Sequence, residues 1–350
     1  MASEVTTGAT LKDVAERAGV HPGTASRALN PVTQGLVSEA TVRRVHAAAK
    51  ALAYRPNSIA RGLKTNRTMT VGIVVPDLSN PVFAPMVRGA AEVLTNAGYS
   101  SVIADTDNDP AKEAEAFDTL RSRQVDGLLV ASARRDDAAV RSLVEGGVPT
   151  VLLNRRTDRT ALPCVMGDDT SGMEQAVRHL RALGHERIGY LSGPTALSTG
   201  LERARAFRQL MLELGGDLDP SLTEECMTYS VEEGTRTGRL LLDRARPTAI
   251  IAGNDQIAVG LLGVLEERRL RCPEDVSVVG YNDMPFVDKL SPPLTTVHVP
   301  HSAIGAEASR ILLRWLQDGV PGSTTISLGV ELVVRGSTSP VREQGAGQER

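Results

Sequence analysis

Residues 11–30 read LKDVAERAGVHPGTASRALN. Thr10, followed three residues later by Asp13, is a capping-box helix start. Leu11, Val14, Ala15 and Ala18 then recur at helical spacing. Gly19 stops the helix after two turns, and Val20 packs beneath the turn. A second short helix starts near Pro22, favourable in a first helical turn, and runs to Leu29. Ala25, Ala28 and Leu29 form its apolar side, and Thr24, Ser26 and Arg27 the other. A third helix begins at Ser38 with Glu39 in its first turn and continues to about Leu52, its buried stripe being Val42, Val45, Ala49 and Leu52. Two short helices joined by a tight glycine turn, with a supporting third, make a helix-turn-helix. Its second helix enters a DNA major groove. Arg27 suits guanine through two hydrogen bonds. Thr24 and Ser26 are placed for phosphates, which fix position without reading sequence.

Charge agrees with that reading without proving it. Residues 1–68 hold ten Lys/Arg against four Asp/Glu, and the remainder 29 against 38. A basic module on an acidic body suits a polyanion partner for that module, although charge alone fits a solvated basic face equally well. The 350 residues suffice for two or three domains. No apolar run reaches the roughly 18 residues that span a bilayer, so no membrane partner is expected. The N-terminus lacks a basic segment followed by an apolar one, which, with three scattered cysteines (Cys164, Cys226, Cys272), predicts a cytoplasmic protein.

From residue 70 the pattern becomes short apolar strands alternating with amphipathic helices. Strand candidates are VGIVV (71–75), SVIAD (101–105), GLLVA (127–131), TVLLN (150–154), RIGYLSG (187–193), AIIAG (249–253) and SVVGY (277–281). That alternation implies an α/β core of two doubly wound parallel-sheet halves behind the all-α headpiece. The expected boundaries are 1–53 for the headpiece and 54–68 for a hinge or linker. The first regulatory subdomain takes 69–166 plus about 295–328, and the second 167–294 plus about 329–336. A Gly-, Gln- and Arg-rich tail, 337–350, is expected to be disordered. Ligands in such folds bind at the carboxyl ends of strands, here between the halves.

The opening stretch resembles the headpiece of the lactose/purine repressor family, T-L-x-D-V-A-x-x-A-G-V-S-x-x-T-V-S-R-x-L-N. Thr10, Leu11, Asp13, Val14, Ala15, Ala18, Gly19, Val20, Thr24, Ser26, Arg27, Leu29 and Asn30 match. His21 stands where the family has Ser, within reach of a phosphate. Pro22 and Gly23 occupy positions that carry base-reading side chains in some relatives, and neither donates a side-chain hydrogen bond. Recognition then leans on Arg27 and on DNA shape. The stretch YRPNSIARGLKTNR (54–67), by itself a plain linker, is similar to the family's hinge helix, which folds on DNA, pairs across a dimer and wedges a leucine into the minor groove. The resemblance gives those roles to Asn57, Ala60 and Leu63, with Arg61 nearby; Gly62 raises the cost of ordering that helix by about 1 kcal/mol relative to alanine.

VGIVVPDLSNPVF, HLRALGHERIGYLSGP, IAGNDQIAVG and VVGYNDMPFVDKLSPPLTTV resemble the family's periplasmic-binding-protein-like core, so the likeness covers about residues 10 to 336. It implies a homodimeric repressor on a pseudo-palindromic double-stranded operator, controlled by a small-molecule effector such as a sugar. By position it assigns ligand contacts to Arg203, Asn154, Asn254 and Asn282, while Ala206 replaces a usual glycine. Asn282 stands where many sugar-binding relatives use Asp, and Asp255 is expected to order its turn and cap the next helix. Phe83 and Tyr229 face the ligand or belong to the core.

No G-x-G-x-x-G after a strand, P-loop or G-x-S-x-G is present, so neither an enzyme nor a cofactor is expected. His298 and His301, with no companion Cys or carboxylate cluster, read as surface or turn residues, not metal ligands, and His179 and His185 read as structural. Asp105, Asp107, Asn108 and Asp109 read as a turn that caps the following helix. A ligand-binding protein without DNA function would need export, which the absent signal opposes.

Overall fold

A computed structural model describes residues 9–30, 33–54, 67–320 and 322–341. The chain divides into two compact units, Met1–Thr68 and Met69–Arg350. In the first, α1 (Leu11–Ala18), α2 (Pro22–Leu29) and α3 (Glu39–Ala51) take the expected bounds. Thr10 and Asp13 close the capping box: the Thr10 N–H donates to Asp13 Oδ2 at 2.8 Å, and the Asp13 N–H to Thr10 Oγ1 at 3.4 Å. Gly19 adopts φ 62° and returns its N–H to Ala15 and Glu16, as a left-handed helix stop requires. The core is small and alanine-rich: Val14, Ala15, Ala18, Ala25, Ala28, Val42, Val45, Ala48 and Ala49. Short side chains let the three helices approach closely, and capping supplies stability that so little apolar area does not.

The second unit runs β1 (Thr70–Val75), α4 (Phe83–Asn96), β2 (Ser100–Asp105), α5 (Pro110–Ser122), β3 (Gly127–Val130), α6 (Ala138–Glu145), β4 (Thr150–Leu153) and β5 (Cys164–Gly167). It continues α7 (Asp169–Ala182), β6 (Ile188–Ser192), α8 (Ser198–Glu213), β7 (Thr223–Glu225), α9 (Val231–Arg244), β8 (Ala249–Ala252), α10 (Asp255–Glu267), β9 (Ser277–Asn282) and β10 (Thr295–His298). It ends α11 (His301–Asp318), β11 (Thr325–Leu328) and β12 (Glu331–Val333). One sheet has the order β11-β5-β4-β3-β1-β2 and the other β12-β10-β9-β8-β6-β7. Every pairing is parallel except β10 with β12. Strands such as β1 and β6 are buried on both faces, which is why they read as continuous apolar runs.

Each sheet places its second strand at one edge, beside its first, and winds the rest outward on the other side. The order reverses between β1 and β3 and again between β6 and β8. In open α/β sheets, ligand sites lie at the carboxyl ends of strands at such reversals.

Two expected boundaries change. Residues 295–298, assigned to the return into the first subdomain, form β10 and pair with β9 in the second sheet, Thr295 opposite Val279. The return therefore begins after His298. Residues 337–341, assigned to a disordered tail, are held against the second subdomain. Ser337 is buried and its hydroxyl donates to Val278 O at 2.6 Å. Val341 N–H donates to Leu183 O at 2.9 Å. A run of small hydroxyl residues meets backbone and side-chain groups at the N-terminal ends of β9 and β10, Ser337 Oγ accepting from Thr295 N at 2.8 Å.

The turn at Asp105–Asp109 is as expected: Asp109 Oδ1 accepts from Ala111 N at 2.7 Å and caps α5. His179 meets Thr338 at 3.0 Å, and His185 meets Thr248 at 2.9 Å and Ser339 O at 3.0 Å. The cysteines are free, and burial pushes the Cys164 and Cys226 thiols up to about 12 and about 11. Among the described residues no helix is long and apolar enough to cross a membrane, and no cluster of His, Cys, Asp and Glu is arranged to hold a metal.

Candidate functional site

The headpiece presents α2. Ala25 and Ala28 face inward, while His21, Pro22, Ser26 and Arg27 are exposed and Gly23, Thr24 and Asn30 half-buried. His21 does the work of the serine it replaces, since its Nδ1 accepts the Gly23 N–H at 3.1 Å. At the other end Thr33 Oγ1 donates to Arg27 O at 3.1 Å, and Asn30 N–H returns to the same carbonyl at 3.3 Å. Both ends of a two-turn helix are thus fixed by side chains, compensating for its poor intrinsic stability. Arg27 is exposed, and among the described residues no ion pair engages its guanidinium. Asn57, Ala60, Arg61 and Leu63 lie outside the described residues.

In the second unit all six expected ligand residues line one cavity of about 20 Å³. They arrive from strand ends. Phe83 opens α4 beyond β1, Asn154 follows β4, and Arg203 lies in α8 beyond β6. Tyr229 follows β7, Asn254 follows β8, and Asn282 ends β9. Asn154 at φ 60° and Asn282 at φ 108° bend the chain off their strands in the left-handed region, which asparagine tolerates better than most residues.

Arg203 is 3% exposed and held on three sides. Its Nε donates to Asp169 Oδ1 at 2.7 Å, its Nη1 to Gly253 O at 2.8 Å, and its carbon lies 3.7 Å from the Tyr281 ring centre. Burial works against its charge, but Asp169, with Tyr281 and Tyr229, more than offsets this and holds the guanidinium above its ordinary value. Burial raises the Asp169 carboxyl and Arg203 pulls it back. Ala206 sits in the core beneath an unbroken α8, so the missing glycine leaves helix placement unchanged.

Asp255 does not order its own turn as expected but ties down the turn after β9 and strand β10, accepting from Met284 N at 2.8 Å and from Thr296 Oγ1 at 2.6 Å. The cap expected of it falls instead to Asn254, whose Oδ1 accepts from Ile257 N at 2.9 Å. Asn254 therefore offers the cavity its amide N–H₂. Tyr229 shares a hydrogen bond of 3.1 Å with Thr199 and packs over Gly193, where any Cβ would meet the ring.

Four lining residues escaped the sequence reading by residue type: Asn80, Val82, Arg155 and Thr199. Arg155 directly follows Asn154 at a strand end, the one local signal that would have found it. Asn80 lies in the stretch SNPVF, where its Oδ1 accepts from Val82 N at 3.2 Å. A larger groove of about 720 Å³ runs along α4 and the start of α11, past Pro85, Glu92, His298 and Arg310. None of the residues around the smaller cavity lines it. The smaller cavity is the better candidate because buried polar groups from both sheets converge there.

Comparison with known proteins agrees with both halves. Residues 10–57 match the family described as bacterial regulatory proteins, lacI family, and residues 177–338 a periplasmic binding protein-like domain. The HTH-type transcriptional regulator DegA of Bacillus subtilis (strain 168) is 33% identical over 335 residues, covering 95% of this chain and 98% of its own. A structure of the transcriptional regulator CelR in complex with cellobiose shares 33% identity at a TM-score of 0.73, covering 94% of this chain and 99% of its own. The lac repressor dimer bound to operator and the anti-inducer ONPF superposes with a TM-score of 0.83 at 28% identity, covering 95% and 100%.

Proposed function

The chain belongs to the lacI family of bacterial regulatory proteins, and from that premise we propose that it is a transcriptional repressor, dimeric on operator DNA, whose grip a small molecule in the cavity controls. It is a regulator and not an enzyme, as its relatives are. Each headpiece takes one half of a pseudo-palindromic site in the cytoplasm, where that DNA lies. Arg27 reads a guanine, Thr24 and Ser26 hold phosphates, and His21, Pro22, Gly23 and Asn30 shape the approach to the groove. Residues 54–68 form the hinge, with Asn57, Ala60, Arg61 and Leu63 at the minor groove. The cellobiose complex of CelR supports a sugar or a related metabolite as effector class.

The observation that carries this reading is the pairing, in one chain, of a capped two-turn helix displaying Arg27 with a cavity at strand reversals. With about 20 Å³ enclosed, the cavity holds about one water. Pockets for small molecules run from about 300 Å³, so effector entry requires the two subdomains to part. That movement is the step that DNA affinity follows.

The test is enrichment of fragments of the source genome by the purified protein at near-physiological salt, without ligand. A recurrent palindrome is the expected result, and Leu63→Ala lowers affinity for it. Salt-insensitive or absent DNA binding, unrestored by added metabolite extract, removes the proposal.

A further inference from the structure

Arg155 stands apart from the other buried charges among the described residues of the second unit. It is 4% exposed, and its Nε–H has no hydrogen-bond partner. Among the described residues no hydrogen bond or ion pair reaches its guanidinium, which lies 5.9 Å from the centre of the Phe83 ring. Arg203, the other cation at the cavity, has its carboxylate in Asp169. Tyr229 and then Glu113 favour the Arg155 charge, and Arg134 and Arg203 oppose it. Burial brings Arg155 down to about 10, so it stays charged at neutral pH.

The rest of the lining sharpens the point. Four asparagines, Thr199 and Tyr229 supply neutral polar groups, and among the described residues no carboxylate lines the cavity. A site for a neutral sugar needs acceptors for hydroxyl protons, and carboxylates are the strongest of these. Here the balance is reversed: donors predominate, and one cation lacks a counter-charge. An uncompensated buried charge is costly to hold and is relieved by an opposite charge at hydrogen-bond distance. We infer that the effector is an anionic polyol, a sugar acid or sugar phosphate, whose charged group pairs with Arg155 while the asparagines take its hydroxyls.

This inference rests on the regulator reading and names the chemistry of its ligand. The test titrates the full-length chain with D-glucose and cellobiose as neutral probes. Against them stand D-gluconate and D-glucuronate as carboxylates, and D-glucose 6-phosphate as phosphate ester. Calorimetry and thermal melting are the readouts. At least one acid is expected to bind while the neutral probes do not, and the arm that binds separates carboxylate from phosphate. Arg155→Met weakens that acid by about tenfold or more, and Arg155→Lys recovers part of the loss. Without ligand, Arg155→Met melts at or above the wild-type temperature, because an unpaired charge is gone.

Binding of neutral sugars alone, failure of every acid, retained acid affinity in Arg155→Met, or its melting below wild type would each overturn the inference. Fragment enrichment by the wild type is scored separately. A neutral sugar that releases a captured operator leaves the regulator reading intact and removes this one. Loss of DNA capture removes the regulator reading itself.

Discussion

At the scale of single residues, freedom and constraint separate reading from support. Arg27 is exposed with no ion pair among the described residues, on a helix fixed at both ends. Arg27→Ala should cost about 1–3 kcal/mol of discrimination at one base pair of each half-site. Competition between the operator and one changed at that base pair measures it, and undiminished discrimination would assign the reading elsewhere. Arg203 has the opposite character, since its charge is already spent on Asp169. Asp169→Asn leaves a buried cation alone and should destabilise the second unit by about 3–5 kcal/mol in denaturant unfolding. Both arginines were legible from the family pattern, because each stands at a fixed spacing from its neighbours. Arg155 was not. Its significance is the absence of a partner, a property of what surrounds it in space. Asn254 shows the same limit, because only the local geometry reveals that its oxygen caps α10 and its amide group is left for the cavity.

At the scale of elements, legibility followed length and pattern. The headpiece helices fell on their expected residues because each carries its own start and stop signals: Thr10 with Asp13, Gly19, Pro22 and Ser38. Seven strands were visible as apolar runs. The other five, β5, β7, β10, β11 and β12, are three or four residues long, and several carry little apolar character: β7 reads Thr-Glu-Glu. Their place is set by the strand beside them, which is why β10 was assigned to the wrong sheet. Helix pairing was equally hidden. α4 and α11 cross with Gly89 against the Ser302 backbone and Gly305 against the Met86 backbone, so that a Cβ at either would overlap a carbonyl group. Gly305→Ala should force the helices apart at a cost of about 1–3 kcal/mol or more. A denaturation midpoint equal to wild type would mean that the crossing yields freely.

At the scale of the whole second unit, the chain passes between the two sheets after β5, after β10 and after β11. By linkage, a ligand that alters DNA affinity must have its own affinity altered by DNA in the same ratio. Two buried groups beside the second passage make its electrostatics measurable. His301 opens α11, and burial lowers its imidazole to about 3. Asp255 accepts from Thr296 on β10, and burial raises its carboxyl to about 7. The signs oppose. Below its unfolded value near 6.5, His301 takes up a proton only when the chain unfolds, so its share of stability falls as pH falls from there towards 3. Asp255 keeps its proton in the folded chain and releases it on unfolding above 3.8, so its share falls as pH rises from there towards 7. Each amounts to at most about 1.4 kcal/mol per pH unit inside its window. The measurement is the difference in unfolding free energy between wild type and variant across pH 4 to 7. A constant loss of packing or hydrogen bonding shifts such a difference without tilting it. Against His301→Asn the wild type should gain relative stability as pH rises, and against Asp255→Asn it should lose it. Two flat differences would show that burial does not shift either group in the folded chain.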